Sequence, residues 1–441
     1  MYDLVIRNGL VASSEGLWPS HVAVRHGRVA ALLEPSATPE AGRVIDATGQ
    51  IVLPGLVDAH VHFREPGLTH KEDFASGSRA AALGGVTTVM VMPTDSPVTM
   101  TAEQFLAKKQ LAEGRCAVDF ALQAALGPDP ANVQDLAREG AISFEVFLGL
   151  LPDPIRIATN DGLIAALAAV RDVEGLVGAT PFDDQLAAAA AKEVPASLND
   201  RERFAAALPP AVEAAGVARA VVAHRITGGR LHIRQVSTAL GLAALALADD
   251  GVTSEVTPHN LWLTDEALLR LGAVAKVVPP LRSEADVEAM RVALLSRQVD
   301  IVATDHAPHS PEEKAAGDFA KAPGGFPGVQ TLLPLLLKLV GEGVIGYADL
   351  VRIACEMPAE IFRLSDRKGS LRPGADADLV LVDPEAPMQI RTADQASKAA
   401  QTPFDTWTCP ATPVLTMLRG EVIAERGRIV GAPRGRFLSP S

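Results

Sequence analysis

Between about Leu53 and Leu364 the chain alternates short apolar runs with Ala- and Leu-rich stretches, and this alternation constrains its fold more than any other feature. Eight runs read as strands: GLVDAHVH, VTTVMVMP, AVDFALQAAL, ISFEVFL, GLVGAT, GRLHIRQV, VTSEVT and DIVATD. Stretches such as HKEDFASGSRAAALG, TAEQFLAKKQLAEG and STALGLAALALADD fall between them as helices. Apolar strands alternating with helices form parallel sheets, and eight such units predict an α/β fold of the (β/α)8 TIM-barrel type. The two ends of the chain use a different grammar. DLVIRNGLV, HVAVRHGRVAAL, DADLVLVDP, VLTMLRGEVIAE and RGRIVG are short alternating segments broken by Gly-centred turns, which is the pattern of strands and hairpins. The expected organisation is a barrel over 53–364 and a small composite β-sandwich domain from 1–52 plus 365–441.

The 441 residues suffice for one large and one smaller domain, and 48% apolar residues mark an ordinary globular chain. A net charge of −13 argues against nucleic acid or an anionic membrane as partner. The three cysteines show no C-x-x-C spacing, which excludes a disulfide framework or a Cys-based zinc site. The N-terminal segment lacks the charged start and apolar core of a signal peptide, and no apolar run approaches the length of a membrane span. A cytoplasmic protein is expected, with a homo-oligomeric state.

The motif DAHVHFREPG, Asp58 to Gly67, closes the first strand. Alternate side chains on a strand share a face, so His60 and His62 point the same way, and two converging imidazoles suit a divalent metal. The last strand ends in DIVATDHAPH. Its Asp305 stands where the apolar run stops, at the end of the barrel where active sites lie. It is a candidate metal ligand and a candidate base for a metal-bound water. A capping role for Asp305 is the plain alternative.

These segments, with THKEDF, EVTPHN, PPLRS and LRPGADADLVLVDP, resemble the cyclic amidohydrolases of the amidohydrolase superfamily: dihydroorotases, allantoinases and hydantoinases. HFREPG and THKEDF are most like the dihydroorotases. The resemblance implies a metal-bearing barrel that hydrolyses a ring amide. It makes His60 and His62 ligands of a first metal, and Asp305 a ligand that also takes a proton from the attacking water. It makes Arg64 and His309 the residues that grip a substrate carboxylate, which the planar fork of an arginine suits. A salt bridge from Arg64 to Glu65 or Glu72 is the structural alternative.

The sequence departs from the family where a second metal would bind. The fifth strand has Gly178 near the expected histidine, the sixth has Gln235, and the fourth has Glu145 in place of a carboxylated lysine. Gly has no ligand and Gln is a poor one for zinc. Glu145 is shorter than that lysine by roughly 3–4 Å. It is expected either to add a fourth ligand to the first metal or to sit in a buried ion pair. His232 is expected to face away from Gln235, and His224 to sit partly exposed at a helix end. His259 ends the seventh strand, where it faces the site as a substrate- or water-binding group or a support. Thr94 replaces the Asn of the dihydroorotase MPNT motif, and Val278 replaces an Asn before PPLR. Thr94 is therefore a candidate substrate contact that points away from dihydroorotate.

The expected function is opening of a small, anionic cyclic amide by a hydrolase with one divalent metal per chain, zinc by ligand type. Asp305 serves as general base, and dihydroorotate as substrate would place the chain in pyrimidine biosynthesis. Two alternatives stay open: an allantoinase- or hydantoinase-type hydrolase, and a silent dihydroorotase homologue with a structural or regulatory role. The Gly/Pro-rich loop HSPEEKAAGDFAKAPGGFPG beside Asp305 is expected to act as a mobile lid.

Overall fold

The computed structural model describes residues 1–315 and 317–441. Eight parallel strands form the barrel: β1 Leu56–Val61, β2 Val86–Val91, β3 Asp119–Leu122 continued by Ala124–Ala125, β4 Phe144–Phe147, β5 Val177–Thr180, β6 Leu231–Ile233, β7 Val252–Val256 and β8 Ile301–Val302. Hydrogen-bonded pairing links each strand to the next from β1 to β3 and from the Ala124–Ala125 part of β3 to β8. A bridge between Val61 and His306 closes the ring. All eight expected strands are present.

One apolar cluster runs from strand residues such as Val91, Leu122, Val146, Ile233 and Val302 into helix residues such as Leu167, Val221 and Leu336. The helices begin where the sequence supplies caps. Asp73, Thr101 and Thr159 accept hydrogen bonds from the first turns of Phe74–Leu83, Ala102–Ala112 and Asn160–Asp172. The helical stretch 200–227 does have the length and mean hydropathy (1.3) of a membrane span, contrary to the expectation from sequence. Val212, Val217, Ala220 and Val221 of that stretch are nevertheless buried in the packed protein.

The terminal segments pair with each other. Strand 51–54 lies between Tyr2–Ser13 and Leu379–Asp383 in one continuous nine-stranded sheet, with Val380 opposite Leu53. Hydrogen bonding joins the strands of the two ends into this sheet, apart from Met388–Gln389 and Thr408–Cys409, which pair with each other. Its inner residues, among them Ile6, Val24, Val52, Leu381 and Met417, form a separate core. The stretch around 388–409, grouped with this unit by sequence, instead packs on the barrel side. Ile390, Phe404 and Cys409 share a cluster with Leu263, Phe326 and Leu335.

An ionic joint ties the sheet to the barrel. Lys368 Nζ lies 2.5 Å from Asp119 of β3, 2.9 Å from Asp376 and 2.7 Å from Asp378, all buried. Arg419 adds a second contact to Asp119 at 2.5 Å. The three aspartates could by geometry hold a metal ion, but the ammonium of Lys368 stands among them, and they hold its pKa above the ordinary lysine value against the cost of burial. Removing one partner of a buried ionic cluster leaves uncompensated charge, so Lys368→Met is expected to cost about 3–5 kcal/mol in urea denaturation. A loss near zero would show that the aspartates reorganise without their cation.

Candidate active site

The site is assembled at the carboxyl ends of β1, β2, β6, β7 and β8. Alternation along β1 turns His60 and His62 the same way, with ring centroids 5.3 Å apart. Backbone bonds from His62 N to His306 O and from His306 N to His60 O then set β8 beside β1. Asp58 fastens the joint by accepting from the backbone and hydroxyl of Thr304 at 3.0 and 2.6 Å. Burial raises the pKa of Asp58 to about 6 despite these bonds.

Asp305 Oδ1 thereby comes 3.3 Å from His60 Nε2 and 3.0 Å from His62 Nε2. These three ligand atoms lie within 4.8 Å of one another. The other nitrogen of each imidazole is engaged: His60 Nδ1 with Glu255 at 2.5 Å, and His62 Nδ1 with Thr94 Oγ1 at 2.7 Å. Both Nε2 atoms thus face the carboxylate. Two imidazoles and one carboxylate make a donor set suited to zinc and leave a coordination position open. The charge balance agrees. In the hydrogen-bonded network around His60, Arg234 pairs with Glu145 and Glu255, while buried Asp305 meets His60, His62 and Gln235 and has no lysine or arginine within ion-pair distance among the described residues. A divalent cation would supply positive charge at that carboxylate.

Gln235, the residue at the position of a second-metal histidine, donates from Nε2 to Asp305 Oδ2 at 2.7 Å. One oxygen of Asp305 is held and the other faces the imidazoles. Arg64, Gln235 and Asp305 all have left-handed backbones, with φ of 58°, 52° and 47°. Such conformations cost ~1–3 kcal/mol each in non-glycine residues and cluster at functional sites. The turn at Gln235 also explains a departure from strict alternation. His232 and Arg234 face the barrel interior together, and the chain then bends so that Gln235 reaches the mouth. His232, expected to face away, bonds Glu255 Oε2 at 3.1 Å.

Glu145 is not available as a fourth ligand. Its two oxygens accept from Arg234 Nη2 and Nε at 2.8 and 3.1 Å, and Ser143 Oγ donates to it at 2.8 Å. The buried ion pair, the alternative reading of Glu145, is the arrangement in this structure. Thr94, the candidate substrate contact, turns its hydroxyl to His62 Nδ1 and so also supports a ligand imidazole. His224, expected to be partly exposed, is buried with Nε2 3.2 Å from Gly229 O.

Arg64 is buried and has no carboxylate within ion-pair distance among the described residues. Glu65 is taken by Arg115 and Glu72 by His306, so neither serves it. Its Nε donates to Pro308 O, and its Nη2 lies 3.3 Å from His309 Nε2. Lys71 Nζ faces the other nitrogen of His309 at 3.2 Å. Burial, then Arg64 and Lys71, push the pKa of His309 down to about 3. His259 Nε2 is buried without a hydrogen-bond partner among the described residues. Burial lowers its pKa to about 4. Burial raises the pKa of Asp305, partly offset by His60 and His259. The expected lid, apart from Ala316, which lies outside the described residues, is tied down: Lys314 Nζ donates to Ala273, Lys276 and Pro323 carbonyls.

Arg234 and Glu255 are the residues behind His60 that sequence reasoning passed over. Their signal was a charged residue inside each of two apolar strands.

His259 generates a pH prediction. An unfolded histidine takes up a proton near pH 6.5, whereas His259 stays neutral to about pH 4 in the folded protein. The unfolded state binds more protons across that window, so the contribution is complete above pH 6.5 and is lost as pH falls to about 4. In metal-free protein it amounts to about 3 kcal/mol at full extent. His259→Asn is expected to flatten urea-derived stability over that window, and equal slopes for both proteins would assign the dependence to another group.

The pattern of the amidohydrolase family matches residues 51–177 and 211–423. A dihydroorotase of Halobacterium salinarum is 40% identical over 395 residues, covering 87% of this chain and 89% of that protein. An allantoinase of Rubrobacter xylanophilus is 36% identical, covering 100% and 98%. The solved structure of an L-hydantoinase (dihydropyrimidinase) from Arthrobacter aurescens superposes with a TM-score of 0.96 at 31% identity over the whole of both chains. The barrel, the composite sheet and the histidine–aspartate cluster stand in a chain that belongs to the amidohydrolase family.

Proposed function

We propose that this protein is a hydrolase that opens a small cyclic amide bearing a negative charge, with one divalent metal, zinc by its donor set, held by His60, His62 and Asp305. The observation that carries the anionic substrate is Arg64: a buried guanidinium with no carboxylate partner among the described residues, beside a histidine whose two nitrogens both face cationic donors. An anion at this mouth would receive charge-assisted hydrogen bonds from Arg64, the cation left without an ion-pair partner where Glu313 already pairs with Lys71 at 2.9 Å. When bound, the metal supplies an acidified water and Lewis-acid polarisation of the ring carbonyl.

The remaining chemistry falls to the chain's own residues. Asp305 accepts the proton of the attacking water and passes it to the departing ring nitrogen. Oδ1 faces the imidazoles as the metal-binding oxygen, while Oδ2, fixed by the bond from Gln235 Nε2, keeps a lone pair for the proton. His259 offers its unpartnered Nε2 to substrate or water, and Arg64 with His309 orients the anionic group. Dihydroorotate, which carries a carboxylate, fits this mouth better than an uncharged hydantoin or allantoin.

The test is purification with added zinc, desalting, elemental analysis and a panel of cyclic amides. One zinc per chain is expected, lost in His60→Ala. Asp305→Asn is expected to lower kcat by 10²–10⁴-fold with the fold intact. Arg64→Met is expected to lower kcat/KM for dihydroorotate on the order of 10- to 100-fold, the worth of hydrogen bonds to a charged group, and to spare uncharged rings. Absence of bound metal, or turnover confined to uncharged rings, would overturn the corresponding half of the proposal.

A further inference from the structure

Arg234 lies at the end of β6, fully buried in the barrel interior. A guanidinium has five N–H donors, and here five contacts receive them. Nε and Nη2 donate to the two oxygens of Glu145, at 3.1 and 2.8 Å. Nη1 donates to Glu255 Oε2 at 2.9 Å and Ala59 O at 3.2 Å, and Nη2 also donates to Gln123 Oε1 at 2.5 Å. The strand register sets Glu145 opposite Gly178. A Cβ at Gly178 would come 2.3 Å from both Glu145 oxygens, so the pair fits only because residue 178 has no side chain.

The far side of Glu255 matters for the metal site. Its Oε1 lies 2.5 Å from His60 Nδ1, and its Oε2, the oxygen on Arg234, also meets His232 Nε2 at 3.1 Å. Arg234 and His232 therefore leave Oε1 to a single partner. A carboxylate on Nδ1 fixes the tautomer with its lone pair on Nε2, fixes the plane of the ring, and makes it a better ligand. Ala59 and His60 are neighbours in β1, so the bond from Nη1 to Ala59 O anchors Arg234 on the backbone that carries the ligand.

We infer that Arg234 is a positioning residue for the metal site: a built-in cation that clamps Glu255, which in turn presents His60 through Nε2, while its pairing with Glu145 removes that carboxylate from metal binding and holds the site to a single ion. The inference rests on the single-metal reading above and adds to it the residues that impose it. It predicts that metal affinity depends on side chains that never touch the ion.

The experiment compares the full-length wild type with Glu255→Gln and with the charge-neutral double variant Glu145→Gln/Arg234→Met. Zinc stoichiometry and affinity are measured by chelator-buffered titration, and cobalt(II) absorption reports ligand geometry. Glu255→Gln keeps the shape of the residue and is expected to bind one zinc 10- to 100-fold more weakly, with an altered cobalt spectrum; the metal-free Tm, measured beside it, separates any general loss of stability from the loss of affinity. The double variant is expected to lose affinity likewise. Wild-type affinity and an unchanged cobalt spectrum in both variants would overturn the inference and leave the hydrolase reading standing. If the wild type itself held no zinc, both would fall. Should the double variant not fold, Glu255→Gln decides alone.

Discussion

Closure of the barrel between its first and last strands is the constraint on which everything else depends. His60 and His62 lie more than two hundred residues from Asp305 in the chain, and no local signal joins them. The reciprocal backbone bonds between His62 and His306 and between His306 and His60 bring them together. Asp58 adds a buried carboxylate on Thr304 at the same seam. The strands meet in one register, and that register decides that Asp305 Oδ1 faces both Nε2 atoms.

The barrel interior behind this seam is filled by polar groups. Gln123, Ser143, Glu145, His232, Arg234 and Glu255 are all buried there, and each finds hydrogen-bond partners. A fully satisfied buried network is rigid because any displacement leaves a charge unpaired. Here it forms a firm floor under the ligands, while the mouth above carries the left-handed turns at Arg64, Gln235 and Asp305. Strain at the mouth and satisfaction in the floor divide the labour between aiming side chains and holding them.

Much of this was legible in the sequence because apolar periodicity reports which elements exist. The eight strands, the pairing of the two ends and the convergence of His60, His62 and Asp305 follow from period-two alternation and the rule that barrel sites lie at strand ends. The misreadings had physical causes. Alternation assumes a regular strand, and the positive φ at Gln235 breaks it, so His232 was turned to the wrong side. Glu145 was left between metal ligand and ion pair because its partner Arg234 comes from a strand distant in sequence. The contact between Thr94 and His62 was not foreseen because a hydroxyl in a loop does not announce which imidazole it will meet.

The composite sheet has a consequence for how the chain comes into being. Leu53 is opposite Val380, and strand 51–54 leads directly into β1. During synthesis the segment that starts the barrel therefore has one edge without a partner until nearly the whole barrel has been made. Contacts of such sequence separation carry a large loop-closure entropy and form slowly. The nascent barrel must persist with an open strand edge, which is a surface prone to pairing with other chains. How long that edge waits is a kinetic property, distinct from the stability of the finished fold.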